Sequence, residues 1–303
     1  MARAPQAPWS ASPNARPSWW LWPQVYSFDG AMVAAAWGLF LWLHGSPEGG
    51  CNACWAEAIV VAGSVWVLTH SAYVLDRWCD ASRLPIVHAS RWPFRYREFF
   101  DVSGGFIALV LALVVSFAGL LAWFVEGARL GVDGVGLVAL AVVLLGVHYS
   151  GKASGGGFRR YASLLKEWTV ASVFCATVCV AVSGRFTGID PWDASVGALF
   201  LALCVCSAFH SSLHQRESDR VLGFASLATF SNGEAALGCF VIAGLVTQAG
   251  WWLALPTGQA IAVTGLILLL TSPVVLRMES QTGTMVGDYA MAVVPVTFWM
   301  LSA

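Results

Sequence analysis

Apolar stretches of roughly 20 residues recur along almost the whole chain, each closed by a short charged or glycine-bearing connection. No other feature restricts the fold as severely. A run of that length matches the hydrocarbon thickness of a bilayer when it is helical, and a helix satisfies all the backbone polar groups of a single segment internally. The runs cover residues 22–43, 55–75, 99–125, 131–149, 167–182, 194–213, 234–253, 258–276 and 288–301. They predict an all-α polytopic membrane protein, a bundle of about nine transmembrane helices. The run at 167–182 is short, and Asp29 interrupts the first.

Composition points the same way. Charged residues make up 11% of the chain and hydrophobic ones 58%, whereas a soluble domain carries about 25% charged residues. A formal net charge of −1 offers no basic surface for nucleic acid and no polybasic membrane tether. Residues 1–18 are rich in Pro, Ala and Ser and have no apolar core, so they are expected to form a disordered tail, with the first helix as an uncleaved insertion signal. Residues 19–303 are expected to form a single transmembrane helical domain.

The basic residues supply an independent check on the helix count. With the N-terminus in the cytoplasm and nine alternating crossings, all of the 16 basic residues except Arg129 and Arg185 fall on inner segments. That is the positive-inside pattern, and a wrong count would have scrambled it. It predicts a multi-pass protein of the inner (plasma) membrane, N-terminus inside and C-terminus outside. Trp55, Trp123, Trp192, Trp251 and Trp252 fall at the outer ends as an aromatic belt. Most of the eight cysteines sit inside apolar runs, where a thiol behaves as a small hydrophobe. Cys51 and Cys54 form the one C-x-x-C, read as an incidental loop pair or a local disulfide, because a zinc site usually needs a second pair.

Two polar clusters stand out, both at inner helix ends. The first runs from His70 through Asp76, Asp80 and Arg83. Asp76 and Asp80 are four apart, so a helix puts both carboxylates on one face, a turn from each other. Two such carboxylates repel unless a cation sits between them, and an all-oxygen pair suits Mg²⁺ completed by substrate phosphates. Arg83, Arg91, Arg95 and Arg97 follow and could grip a diphosphate. The second cluster runs from His210 through His214, Glu217, Asp219 and Arg220. Each cluster also reads as a charged helix end at the headgroup level. Ionisable groups near a membrane interior nonetheless mark functional cavities.

These residues resemble the UbiA superfamily of intramembrane prenyltransferases, over nearly the whole chain after the tail. That family has nine transmembrane helices and two Asp-rich motifs at the cytosolic ends of helices two and six. Its first motif, N-D-x-x-D-x-x-x-D, is similar to the segment from Ala72 and Tyr73 through Asp76 to Asp80; Tyr73 replaces the leading Asp and Ala72 the Asn. Its second motif, D-x-x-D-x-E-G-D-R followed by Gly, is similar to Gln215 through Glu217, Asp219 and Arg220 to Gly223, with Gln215 where an Asp is common. Leu165-Lys166-Glu167 resembles the family's lysine region that helps hold diphosphate.

The resemblance implies Mg²⁺-dependent transfer of a prenyl group from a polyprenyl diphosphate to an acceptor that the sequence does not name. It implies Asp76, Asp80, Glu217 and Asp219 as metal ligands, with Asp76, Asp80 and Asp219 central to catalysis. It implies Arg83, Lys166 and Arg220 as diphosphate contacts, and Tyr73 and Trp78 as aromatic shields or interfacial anchors. Other readings stay open. The missing carboxylates fit a lipid-binding pseudoenzyme or a terpene-cyclase-like relative. His70, His148, His210 and His214, all near inner helix ends, fit a His/carboxylate metalloenzyme acting on lipid. A transporter is disfavoured because the charges gather at one interface and not at the midplane.

Overall fold

The computed structural model describes seven helices: α1 (Phe28–His44), α2 (Trp55–Arg83), α3 (Lys166–Val182), α4 (Pro191–Leu222), α5 (Asn232–Trp252), α6 (Pro256–Val275) and α7 (Ser280–Ser302). The side chains of residues 75–83, of Lys166 and of residues 217–222 are not among those described. All described residues are helical, in agreement with the all-α expectation. The expected spans at 99–125 and 131–149, the tail at 1–18, Cys51 and Cys54 lie outside the described residues.

The seven helices correspond to seven of the predicted apolar runs, with different ends. α2 and α4 continue eight or more residues beyond their apolar runs, to Arg83 and Leu222, so both polar clusters are helical. Backbone hydrogen bonding does not stop where hydropathy falls. Asp29 sits in the first turn of α1 and does not interrupt it; a carboxylate there faces the positive end of the helix dipole. α7 starts at Ser280, well before the apolar run at 288–301.

α1 and α2, α3 and α4, and α5 and α6 pair antiparallel, whereas α7 runs parallel to α1. At one level, Phe28 of α1 stacks on Trp66 and His70 of α2, Gly287 of α7 meets His210 of α4, and Ser212 of α4 bonds Glu167 of α3. Further along, Trp37 of α1 packs against Phe200 of α4 with ring centroids 5.0 Å apart. α4 is the central element: it packs against α3, α5, α6 and α7, and reaches α1 through that aromatic contact. Trp37, Phe40, Phe200, Leu203, Ile261 and Leu268 form the fully buried centre.

Small residues set the approach of the helices. A side chain at Gly30 would run into the Tyr73 ring, and one at Gly250 would meet the Gly258 carbonyl oxygen at 2.7 Å and the Ala262 nitrogen at 3.0 Å. Close backbone approach at small residues is how helices associate where water supplies little driving force. Hydroxyls inside the apolar helices are satisfied by their own backbone: Thr177, Thr247, Thr264, Thr271 and Thr297 each donate to the carbonyl four residues earlier. Two stretches, Glu57–Val74 in α2 and Ala194–Arg216 in α4, are long and apolar enough to cross a membrane. Large apolar side chains, among them Ile59, Leu245, Trp252, Leu270, Val293 and Met300, point outward from the bundle.

Gly250 and Gly244 separate packing from helix propensity, since an added methyl at Gly244 meets nothing within 4 Å. Gly250→Ala is expected to destabilise by about 1–3 kcal/mol, because the obstacle is backbone. Gly244→Ala is expected to be neutral or slightly stabilising. Thermal unfolding of both variants in detergent, followed by circular dichroism, checks this; equal behaviour would mean that α5 and α6 do not approach so closely.

Candidate functional site

The contacts above place the start of α1, the start of α3, the start of α7, and the C-terminal portions of α2 and α4 at one end of the bundle. From the level of His70, α2 continues as helix for about 20 Å, and from His210, α4 continues for about 18 Å. Asp76, Asp80 and Arg83 occupy the last turns of α2, and Glu217, Asp219 and Arg220 those of α4. Lys166 is the first residue of α3. The helical positions of these seven residues therefore gather at a single end. Where their side chains point lies outside the described residues, as do His148, Arg91, Arg95 and Arg97. α2 is unbroken through 76–80, so the two aspartates share one stripe of that helix.

Just inside that end, the described side chains form three polar groups. The first is Glu167, 2% exposed in the first turn of α3. It accepts a hydrogen bond of 2.8 Å from the Ser212 hydroxyl. A buried carboxylate needs such donors, and the positive end of the α3 dipole adds to its stabilisation. The second is the pair His210 and His214, one helical turn apart on α4, 1% and 6% exposed. Their rings stand edge to face with centroids 4.7 Å apart. Ser212 lies between them in sequence and so on the opposite side of α4. The helix thus shows a hydroxyl to α3 and two imidazoles toward α7.

The third group joins α1 and α7. Asp29 and Asp288 both lie close enough to act electrostatically on Tyr289. Tyr73 packs against Gly30, and His70 meets both Phe28 and Trp66, with centroids at 4.7 and 5.1 Å, in a cluster where those two rings also touch. His70 and Tyr73 are thereby engaged with α1. Among the described residues, no three His, Cys, Asp or Glu side chains are placed to share a metal ion. The thiols among them are packing elements: Cys206 and Cys239 meet at 3.7 Å across α4 and α5, and Cys175 and Cys179 at 3.8 Å within α3.

The pairing of His210 with His214 is legible from their i, i+4 spacing. That of Ser212 with Glu167 is not, because it spans two helices 45 residues apart; its only sequence signal is a carboxylate at the head of an otherwise apolar run. Comparison with protein-family models and with curated proteins finds no match for the chain.

A double-mutant cycle tests the buried contact between Ser212 and Glu167. Ser212→Ala and Glu167→Leu should couple by about 1.5–3 kcal/mol, the range for a hydrogen bond to a charged group. Denaturant unfolding of the four proteins in mixed micelles measures it, and additivity would show that the bond does not form.

Proposed function

We propose that the chain is a multi-pass membrane protein of the UbiA kind, which transfers a prenyl group from a polyprenyl diphosphate to an acceptor. The observation that carries the reading is the convergence of three helix ends: the acid-bearing ends of α2 and α4 and the lysine-bearing start of α3 share one end of the bundle. A diphosphate needs cations around its oxygens, and a site of this make-up offers carboxylates to hold metal and Arg or Lys to meet phosphate directly.

Two further features support the membrane side of the reading. Outward-facing Ile59, Leu245, Leu270, Val293 and Met300 put apolar surface on α2, α5, α6 and α7, as lipid requires. The chain also leaves α2 and enters α3 at the same end of the bundle. Two apolar runs in the intervening sequence, 99–125 and 131–149, agree with that, and on the proposed scheme of nine crossings the basic residues lie inside.

The donor set fits Mg²⁺. Asp76 and Asp80 lie one turn apart on an unbroken helix, and Glu217 and Asp219 add two more oxygen donors at the end of α4. Bound Mg²⁺ would supply the charge that draws electrons toward a departing diphosphate. Arg83, Lys166 and Arg220 would hold that diphosphate and stabilise its growing charge, which is where fixed cations lower the barrier most. The closed apolar bundle below would keep water from the reactive carbon.

Asp76→Ala is expected to abolish Mg²⁺-dependent binding of geranylgeranyl diphosphate to the purified protein, and Lys166→Ala to weaken it roughly tenfold, the loss of one charge-assisted contact. Calorimetric titration in detergent, with and without Mg²⁺, reads both; unchanged affinity in the aspartate variant would end the assignment. Topology has its own check. In a background with Cys51 and Cys54 replaced by Ser, Arg83→Cys and Lys166→Cys should react with a membrane-impermeant maleimide from the same side of sealed vesicles. Labelling from opposite sides would break the nine-crossing scheme.

A further inference from the structure

We propose that the hydrogen bond from Ser212 to Glu167 is a positioning contact: it docks the head of α3 on α4 and thereby sets where Lys166 stands relative to Glu217 and Asp219. The inference rests on the transferase reading above. It adds to that reading a pair of residues that act through the lysine and touch neither metal nor diphosphate.

The contact lies in the turn that carries the lysine. Lys166 is the first residue of α3 and Glu167 the second. Glu167 and Ser212 are both buried, and the hydroxyl donates to the carboxylate at 2.8 Å. α3 runs antiparallel to α4, since Cys175, further along α3, reaches the carbonyl of Gly197, further back along α4. The bond therefore holds the first turn of α3 level with Ser212. Glu217 and Asp219 follow on α4, about 7.5 and 10.5 Å further along the axis. A slip of α3 by one turn would displace the lysine position by about 5.4 Å, a large part of that interval.

The neighbouring contacts fix the register less firmly. Ala171, Cys175 and Val178 are buried on the following turns of α3. Small side chains of this kind permit close approach. Trp168 meets Phe209 of α4 edge to face with centroids 6.3 Å apart. Apolar contact is non-directional and tolerates a shift, whereas a hydrogen bond weakens steeply with distance and angle. A slip would also leave the carboxylate buried without this donor, so the pair selects one register.

A carboxylate at this position is otherwise hard to account for. A negative group next to a diphosphate-holding lysine would repel the ligand. Here Glu167 is turned toward α4. Successive helix positions are about 100° apart, so the stripe that docks on Ser212 is not the one that carries position 166. A leucine at 167 would pack against α4 at lower desolvation cost. It would not supply a directional bond to one hydroxyl.

The test measures Mg²⁺-dependent binding of geranylgeranyl diphosphate by calorimetry, with the full chain in detergent micelles. The double variant Ser212→Ala, Glu167→Leu removes both partners of the bond together and should remain folded, as judged by circular dichroism. It should bind about five- to tenfold more weakly than the parent, close to the loss from Lys166→Ala. Placed in a Lys166→Ala background, the same pair of substitutions should cause no further loss, because their effect passes through that lysine. Glu167→Gln keeps an oxygen that can accept from Ser212 and should bind within about twofold of the parent. Parent-like affinity in the double variant would overturn the inference. So would an equal loss with and without Lys166, which is what general loosening produces, or a double variant that does not fold, which would assign the pair to stability. A parent that shows no Mg²⁺-dependent binding defeats the transferase reading and this inference with it; binding in the parent that the double variant leaves intact defeats this inference alone.

Discussion

The meeting of Gly287 with the His210 ring fixes the level at which the helices of this bundle stand relative to one another. Because α7 carries no side chain there, it closes onto α4 until an added Cβ would lie 2.9 Å from Nδ1. α7 in turn brings Tyr289 within electrostatic reach of Asp29 at the start of α1. α1 then stacks Phe28 on His70 and Trp66 of α2. The chain of contacts needs no long side chain reaching across a gap, and the last turns of α2 and α4 continue from it in the same direction. In an apolar surrounding, where burying another leucine gains little, such close approach at small residues is what can hold a helix in register.

The helical class was legible because it rests on the coarsest property of the sequence, the length of the apolar runs. Seven of those runs overlap described helices. The ends were less legible for a definite reason. Hydropathy reports where a segment suits lipid, whereas a helix ends where its backbone hydrogen bonds end, and those continue through Asp76–Arg83 and Glu217–Leu222. Asp29 shows the converse: a charge inside an apolar run looked like an interruption, but a carboxylate in the first turn of a helix is favoured by the dipole.

The polar interior was legible only where it lay within one helix. His210 and His214 announce themselves by spacing. Ser212 and Glu167 do not, since either residue alone is an ordinary helix surface position and only packing of α3 on α4 joins them. The sequence read Glu167 merely as the neighbour of Lys166 at a helix opening. The acidic motifs gain less from the fold: their helical setting and common end can be stated, while the side chains that would do the chemistry are not among those described.

The two sides of α4 show how a helix of this kind can carry polar groups without unfolding its surroundings. A carboxylate has no cheap neutral form while it remains ionised, so a buried one must be met by donors, and Glu167 has Ser212 and the α3 dipole. An imidazole is neutral on its own and loses only its hydrogen bonds when buried, a smaller cost that a domain can carry at one or two positions. The distribution along α4 follows that order of cost. Hydroxyl and imidazoles lie within the packed stretch at 210–214, and Glu217, Asp219 and Arg220 follow it in the last turns of the helix. A prenyl diphosphate makes the same division in one molecule, with its charge at one end and hydrocarbon at the other. On the proposed transferase reading, that correspondence between the gradient along α4 and the gradient along such a substrate sets the diphosphate at the polar end of this helix and the hydrocarbon along its middle.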